Sequence, residues 1–175
     1  MNLSNFYDLS YSDLSDFISS NFSLEKKKTS MRTNQIWKFV YKKGLKETSK
    51  FSNISSELKD NMEKSFNFNR TNIAEKKISK DGTIKWLLKL SDNNLVETVF
   101  IPSGKRGTLC VSSQVGCTLN CKFCHTGTQL MVKNLTTHEI INQILVAKDE
   151  LNDWGSQKKI TNIVYMGMGE PFYNY

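Results

Sequence analysis

The hydrophobic period of the chain changes near residue 70, and this change constrains the fold more than any other feature of the sequence. Before it, apolar side chains recur at the spacing of amphipathic helices. The pattern predicts three helices, near residues 12–22, 33–43 and 55–66. Ser12 is a candidate cap for the first, and Gly44 is placed to end the second. Residues 1–70 are therefore expected to form a small helical domain.

After residue 70 the period becomes that of β-strands, and short turn sequences separate the runs. The pattern predicts strands at residues 73–80, 83–91 and 95–101. Asp81-Gly82 favours a hairpin between the first two, and residues 102–104 indicate a break after the third. Residues 71–104 are therefore expected to form a β-hairpin and linker region.

The last part of the chain alternates strand and helix. A short strand at residues 108–111 leads into a cysteine-rich loop and then an amphipathic helix at 135–151, where Thr136 and Glu139 fit a capping box. The apolar run 160–166 predicts a buried parallel strand. Strand, helix and parallel strand form a βαβ unit, so the predicted fold class is α/β.

The charge of the chain favours a polyanionic partner. The 175 residues carry a formal net charge of +7, and segment 26–50 holds nine basic residues against the single acid Glu47. A merely solvated basic face would have the same composition. The N-terminus lacks the basic start of a secretory signal, and no stretch is apolar for long enough to span a membrane. We therefore predict a cytoplasmic protein without membrane contact, whose four cysteines stay reduced and serve metal binding or catalysis.

Three of the cysteines lie within one short loop. Cys117, Cys121 and Cys124 follow the order C-x3-C-x2-C. Three thiolates can each hold one iron of a cubane cluster, and the fourth iron is then free to chelate S-adenosylmethionine (SAM). An electron passed through such a cluster can break the sulfonium C–S bond. The alternatives are a structural zinc site that adds His125, which directly follows Cys124 and is awkwardly placed, and three uncoordinated buried cysteines.

A glycine-rich run follows the last predicted strand, with the sequence Gly-Met-Gly-Glu-Pro at residues 167–171. The carboxyl ends of parallel strands form the ligand-binding edge of α/β sheets and barrels. Glycines allow a ligand to approach the backbone, and the Glu170 carboxylate could hold the ammonium or ribose of SAM. A glycine-rich turn alone is a weak signal, but its place after a strand and a cluster motif strengthens it.

Several stretches together resemble one family. They are residues 35–38, 106–117, 121–127, 134–136 and 166–171. They resemble the radical-SAM dual-specificity methyltransferases that act on adenine C2 of 23S rRNA and tRNA, whose close relatives methylate C8 of the same rRNA adenosine. The resemblance implies a helical RNA-binding domain, a β-hairpin extension and, at residues 105–175, the start of a radical-SAM partial (β/α) barrel. It also implies a monomer that receives electrons from a donor such as flavodoxin or ferredoxin.

The resemblance assigns roles to residues at the predicted cofactor site. It implies that Cys117, Cys121 and Cys124 hold a 4Fe-4S cluster. It also implies that Gly169 and Glu170 contact SAM. The cofactors implied are therefore the 4Fe-4S cluster and SAM itself.

Two further residues match positions with catalytic roles in the family. Glu97 matches the proposed proton acceptor, although its pattern alone favours a solvent-facing glutamate on an edge strand. Cys110 matches the thiol that resolves a covalent RNA adduct through a disulfide, although a lone strand cysteine is more often buried and structural. In the family, one SAM methylates a protein cysteine, and a radical made from a second SAM activates that methyl group for addition to C2.

One feature departs from the family. Its methyl-carrying cysteine lies near the C-terminus, and no cysteine follows Cys124 in this chain. We therefore expect this chain to be the N-terminal portion of a longer enzyme and to transfer no methyl group on its own. A C8-specific methyltransferase and a non-catalytic RNA-binding zinc protein are the alternative functions.

Overall fold

The computed structural model describes residues 3–22, 25–156 and 158–174. The chain divides into two compact units, residues 1–69 and residues 70–175. The first is mainly helical, and the second combines a sheet with one long helix, so the predicted α/β class is confirmed. Among the described residues, no helix has both the length and the apolar character that a membrane crossing needs.

The first unit contains the three predicted helices. They are α1 (Tyr11–Asn21), α2 (Lys26–Tyr41) and α3 (Ser56–Ser65). Ser10, and not Ser12, caps α1, so that prediction is wrong. The Ser10 hydroxyl accepts the backbone N–H of Asp13 at 3.1 Å, and the Asp13 carboxylate accepts the backbone N–H of Ser10 at 2.8 Å. This reciprocal capping box satisfies two amides of the first turn, whereas Ser12 already lies inside the helix.

Helix α2 begins at Lys26 rather than near residue 33. Its first turn is formed by exposed lysines, which give no apolar periodicity and therefore no sequence signal for a helix. The buried hydroxyl of Thr33 donates to the backbone carbonyl of Thr29 at 2.9 Å and so needs no other partner. Gly44 follows the end of α2 with a φ of +69°, in agreement with the predicted helix stop.

Aromatic side chains fill the core of the first unit. The rings of Phe6 and Phe68 stack with centroids 4.6 Å apart, and those of Phe39 and Phe51 stack at 5.2 Å. The buried Tyr7 hydroxyl donates to the carbonyl of Phe68 at 2.8 Å. A short parallel pair, β1 (Ser4–Asn5) with β2 (Phe66–Asn67), brings the two ends of the unit together.

The second unit is built on a sheet of five strands, which are β3 (Asn72–Ile78), β4 (Ile84–Lys89), β5 (Leu95–Ser103), β6 (Arg106–Cys110) and β9 (Asn162–Val164). Their order in the sheet is β3-β4-β5-β6-β9. Two short strands, β7 (Gln114–Val115) and β8 (Lys133–Asn134), form a separate pair. Neighbouring strands of the sheet are antiparallel except β6 and β9, which are parallel. The sheet therefore joins the predicted hairpin strands to the predicted βαβ unit.

Strand β5 ends at Ser103 and so includes the first two residues of the predicted break. Pro102 pairs with Gly107, and Ser103 pairs with Arg106. The last pair between β4 and β5 joins Ile84 to Phe100, so Pro102 lies beyond the end of β4, where its missing N–H has no strand partner to lose. The chain turns at Gly104, the last residue of the predicted break, with a φ of +57°.

Helix α4 (Thr137–Leu151) covers one face of the sheet. Its predicted capping box is confirmed, because Thr136 and Glu139 exchange side-chain and backbone hydrogen bonds. The buried cluster between helix and sheet comprises Trp86, Leu88, Leu90, Val96, Phe100, Leu109, Val111, Val115, Leu135, Val146, Ala147 and Leu151. Side chains alternate along a strand, so Glu97, Val99 and Cys110 lie on the opposite face of the sheet.

Strand β9 is parallel to β6, as predicted, but it is not buried. Ile163 is 46% exposed and Met166 is 80% exposed. Within the described residues, β9 pairs on one side only, with β6, and forms an edge of the sheet. The prediction of a buried strand is therefore wrong, because β9 has a partner strand on one side alone.

Candidate functional site

The three cysteines lie on a loop that leaves the carboxyl end of β6. Strands β7 and β8 pair antiparallel and close the base of this loop, which spans residues 116–132. Gly116 begins it with a φ of +76°, and a Cβ there would lie 2.1 Å from the carbonyl oxygen of Leu130. Only glycine permits so close an approach, so Gly116 allows the two ends of the loop to lie against each other.

Two consecutive turns shape the middle of the loop. The backbone N–H of Cys124 donates to the carbonyl of Cys121 at 3.0 Å, and that of Gly127 donates to the carbonyl of Cys124 at 3.1 Å. A Cβ on Gly127 would lie 2.8 Å from the carbonyl oxygen of Cys121, so the turns need a glycine there. Between the cysteines, Phe123 is 93% exposed. Cys121 and Cys124 therefore lie on one tight, open turn.

Backbone amides face two of the three sulfurs. The N–H of Leu119 donates to Cys117 Sγ at 3.4 Å. The N–H of Gly127 is the main cause that lowers the pKa of the Cys124 thiol below its ordinary value. All three thiols are partly exposed and free of disulfides. Hydrogen bonds of this kind favour the thiolate, which is the form that binds iron.

The loop holds no preformed site for a single metal ion. No three His, Cys, Asp or Glu side chains of residues 3–22, 25–156 and 158–174 are close enough together to hold one, and this includes the alternative zinc set with His125. The donor chemistry fits an iron–sulfur cluster, because three thiols come from one exposed loop and backbone N–H groups face two of them.

The glycine-rich loop is hydrogen-bonded to the segment that leads into the cysteine loop. The N–H of Gly167 donates to the carbonyl of Val111 at 3.1 Å, and the N–H of Met168 donates to the Ser112 hydroxyl at 2.9 Å. The carbonyl of Met168 accepts the N–H of Ser113 at 2.8 Å. The two loops that follow the parallel strands β6 and β9 therefore lie side by side.

Gly169 and Glu170 lie against Gln114. Gly169 has a φ of +92°, and a Cβ there would lie 2.4 Å from the Gln114 Cβ, so a glycine is required for the contact. The N–H of Glu170 donates to Gln114 Oε1 at 3.0 Å. The partly exposed Glu170 carboxylate accepts the N–H of Phe172 at 3.1 Å. Both residues predicted to contact SAM thus adjoin the start of the cysteine loop.

Glu97 and Cys110 lie on the face of the sheet opposite α4. Cys110 pairs with Val99, two residues along β5 from Glu97, and diagonal neighbours of this kind are about 7–8 Å apart. Strand β5 lies inside the sheet, so the alternative that put Glu97 on an edge strand is wrong. The Glu97 carboxylate accepts a hydrogen bond from Lys85 Nζ at 2.8 Å, and both side chains are partly exposed.

The Cys110 thiol differs from the loop thiols in its environment. Burial raises its pKa above the ordinary value, while the N–H of Met166 acts in the opposite direction. Cys110 is therefore protonated at neutral pH. It is only partly buried, so it is not the fully buried structural thiol of the alternative interpretation. The contact with Met166 places it beside the start of the glycine-rich loop.

Sequence reasoning missed the polar residues that join these elements. Ser112, Ser113 and Gln114 form a polar run that a sequence pattern assigns to the surface, yet all three are buried. The Ser112 hydroxyl donates to the carbonyl of Glu97 at 2.6 Å, which links the Glu97 strand to the same segment. The only signal in the sequence was the position of this polar run between an apolar strand and a cysteine motif.

Comparisons with known proteins agree on one family. The chain is 49% identical over 157 residues to a dual-specificity RNA methyltransferase RlmN from Rhodopseudomonas palustris (strain BisB5), a match that covers 83% of the chain and 39% of that relative. It is 46% identical over 173 residues to the protein of the same name from Chelativorans sp. (strain BNC1), with 89% and 42% covered. No protein-family model matches the chain.

A solved structure agrees with these relatives. The crystal structure of a radical SAM methyltransferase from Sphaerobacter thermophilus superposes with a TM-score of 0.83 and 30% identity, over 98% of this chain and 49% of that one. The chain thus spans 39% to 42% of the length of the two curated relatives named above. Over that length, it belongs to the family of the radical-SAM dual-specificity RNA methyltransferases.

Proposed function

We propose that the chain contributes to a radical-SAM methyltransferase that acts on C2 of adenosine in 23S rRNA and tRNA, through a methyl-cysteine intermediate whose cysteine is not among the four of this chain. One observation carries the proposal: the three-cysteine loop and the Gly-Met-Gly-Glu-Pro loop follow two adjacent parallel strands, and the segment that leads into the first is hydrogen-bonded to the second. The carboxyl ends of parallel strands are where α/β sheets and barrels bind ligands. A cluster on one loop and its ligand on the other would therefore be neighbours.

Cys117, Cys121 and Cys124 would hold a 4Fe-4S cluster. A protein-ligated cluster of this type ordinarily has four thiolate ligands, so three leave one iron open for SAM. When bound, the cluster would supply the electron that cleaves the sulfonium of SAM. The N–H of Gly127 lowers the cost of keeping the Cys124 sulfur ionised, because it lowers the pKa of that thiol.

Gly169 and Glu170 would bind SAM beside the cluster. Gly169 is partly exposed, and a Cβ there would collide with Gln114, so the position requires a glycine. The Glu170 carboxylate is partly exposed and lies at the same edge. A carboxylate attracts the SAM ammonium and accepts hydrogen bonds from a ribose, whereas exposed backbone provides both donors and acceptors.

Glu97 and Cys110 would act on the RNA base. We propose that Glu97 takes the C2 proton, because its carboxylate lies on the open face of the sheet, where Lys85 Nζ donates a hydrogen bond to it. Cys110, on the same face, would resolve the covalent adduct by forming a disulfide. Because the Cys110 thiol is protonated at neutral pH, a base must first remove its proton. Glu97 is a diagonal neighbour of Cys110 on the adjacent strand and could be that base.

The substrate chemistry agrees with the charge of the chain. Helix α2 presents exposed lysines at Lys26, Lys27 and Lys28, and such a surface can neutralise RNA phosphates. We propose that the first unit contacts the RNA backbone and that an electron carrier such as flavodoxin or ferredoxin reduces the cluster. The protein would act as a monomer in the cytoplasm.

Anaerobic reconstitution with iron and sulfide tests the cofactor part of the proposal. The chain should become brown and hold about four irons, while Cys121→Ala should hold far fewer because two thiolates rarely retain a cubane. Cys110→Ala is the matched control, since it removes a cysteine outside the loop and should load like the parent. A colourless parent chain, or full iron content in Cys121→Ala, would contradict the assignment.

Nucleoside mass spectrometry tests the position of methylation. Deletion of the gene that encodes the protein should remove 2-methyladenosine from 23S rRNA and tRNA and leave 8-methyladenosine unchanged. Restoring the gene with Glu97→Gln should leave 2-methyladenosine strongly reduced, because the amide cannot accept the C2 proton. Unchanged 2-methyladenosine after deletion, or loss of 8-methyladenosine instead, would refute the C2 assignment.

A further inference from the structure

The buried carboxamide of Gln114 is the point where the cysteine loop and the glycine-rich loop meet. Gln114 is fully buried. Its Oε1 accepts the N–H of Thr118 at 3.2 Å and the N–H of Glu170 at 3.0 Å. Thr118 directly follows Cys117, and Glu170 directly follows Gly169. One side-chain oxygen therefore accepts hydrogen bonds from both loops.

The other end of the same carboxamide completes the connection. Gln114 Nε2 donates to the Thr118 hydroxyl at 2.8 Å and to Asn134 Oδ1 at 2.8 Å, the latter on β8 at the base of the cysteine loop. A glutamine amide has two N–H donors and one oxygen with two lone pairs, and here all four are used. The orientation of the amide is fixed, because two backbone N–H groups can only donate and must therefore face the oxygen.

We propose that Gln114 is a positioning residue that sets the distance between the cluster loop and the SAM-binding loop. It acts through the backbone of Thr118 and Glu170, whose N–H groups it accepts. Other residue types fit the place poorly: asparagine is one methylene shorter, and methionine has similar length but no N–H or carbonyl group. The inference rests on the proposed function, since it concerns the same two loops.

The close packing of Gly169 supports this role. The Gln114 Cβ, Cγ and N lie 2.4, 2.7 and 2.7 Å from the position that a Gly169 Cβ would occupy. The backbone N–H of Gln114 also donates to the carbonyl of Met168 at 3.2 Å. Gln114 therefore meets the glycine-rich loop through its backbone, its aliphatic carbons and its amide, so a shift of the side chain must move that loop.

Hydrogen exchange of the cofactor-free chain tests the geometry by itself. Gln114→Met should speed exchange of the Thr118 and Glu170 amides together, by roughly fivefold or more, because both lose the acceptor that protects them. Leu88→Val is the control for a general loss of stability, since Leu88 is buried on β4, which bears neither loop. Unchanged exchange at both amides, or equal acceleration in Leu88→Val, would overturn the inference.

SAM binding to the reconstituted chain tests the consequence. Gln114→Met keeps all three cysteines, so its iron content should equal that of the parent. Its dissociation constant for SAM should rise roughly tenfold, which is the size of effect seen when a residue that orients the ligands of a metal site is replaced. The electron paramagnetic resonance change that SAM produces in the reduced parent cluster should be weaker in the variant. Equal SAM affinity in parent and variant would overturn the inference. A parent that binds no iron or no SAM would instead refute the proposed function.

Discussion

Gln143 joins helix α4 to the end of strand β6, and its removal should destabilise the second unit. The side chain is 1% exposed. Its Oε1 accepts the N–H of Ser112 at 2.7 Å and the hydroxyl of Thr98 at 2.9 Å, and its Nε2 donates to the carbonyl of Ser112 at 2.9 Å. We predict that Gln143→Leu lowers the free energy of unfolding because it leaves these buried groups without partners.

The expected magnitude follows from the number of hydrogen bonds. Gln143 Nε2 also makes a longer hydrogen bond to the carbonyl of Glu139 at 3.4 Å. Each buried hydrogen bond contributes about 1 kcal/mol net, so the loss of the three shorter ones should cost about 3 kcal/mol. Thr98→Val removes one hydroxyl and should cost about 1 kcal/mol, since Gln143 Oε1 keeps its bond to Ser112. In the double variant, Thr98→Val should cost little or be favourable, because the hydroxyl that it removes has already lost its partner.

Urea unfolding followed by tryptophan fluorescence measures this effect. In a Trp37→Phe background, the remaining tryptophans of the chain, Trp86 and Trp154, both lie in the second unit and report on it alone. A loss below about 1 kcal/mol in Gln143→Leu, or costs that simply add in the double variant, would refute the reasoning.

Two further predictions concern the same unit. Hydrogen bonding to Lys133 lowers the pKa of Asp92 from 3.8 to about 2, so the Asp92 carboxylate stabilises the fold above about pH 4, and this contribution is lost as the pH falls through about 2. Asp92→Asn should therefore be less stable than the parent at pH 7, by less than about 1 kcal/mol for so exposed a pair, and equal to it near pH 1 in urea unfolding. A difference that is as large near pH 1 as at pH 7 would contradict this cause. Gly107→Ala should destabilise by about 2 kcal/mol or more, because the new Cβ would lie 1.9 Å from the carbonyl oxygen of Lys159. A change within about 0.5 kcal/mol would show that the backbone of β6 yields easily.

Local signals made several elements predictable. Thr136 and Glu139 fit a capping box in the sequence, and the structure forms it, because the interaction involves residues three apart in one helical turn. For the first helix, Ser12 was predicted as the cap without this test, but Ser10 with Asp13 completes a capping box and Ser12 does not. Helix α2 was predicted too short because its first turn consists of lysines, and an exposed turn has no apolar period.

The site was predictable in its ligands but not in its connections. The spacing of Cys117, Cys121 and Cys124 is a property of one short loop, so the sequence alone indicated a three-thiol site. That Glu97 and Cys110 share a face depends on the register between β5 and β6, which no local pattern specifies. The roles of all these residues stay proposals, which the reconstitution and mass-spectrometry experiments test.

The amino-acid sequence by itself determined the order of the long helices and strands, the cysteine and glycine motifs, and the family, because each depends on neighbouring residues. Only the tertiary structure decided that Gln114 joins the two loops, since its partners lie up to 56 residues away. It also decided that the polar run 112–114 is buried and that β9 forms an exposed edge. Burial and long-range hydrogen bonds depend on which segments meet in space, and hydrophobic period describes only one segment at a time.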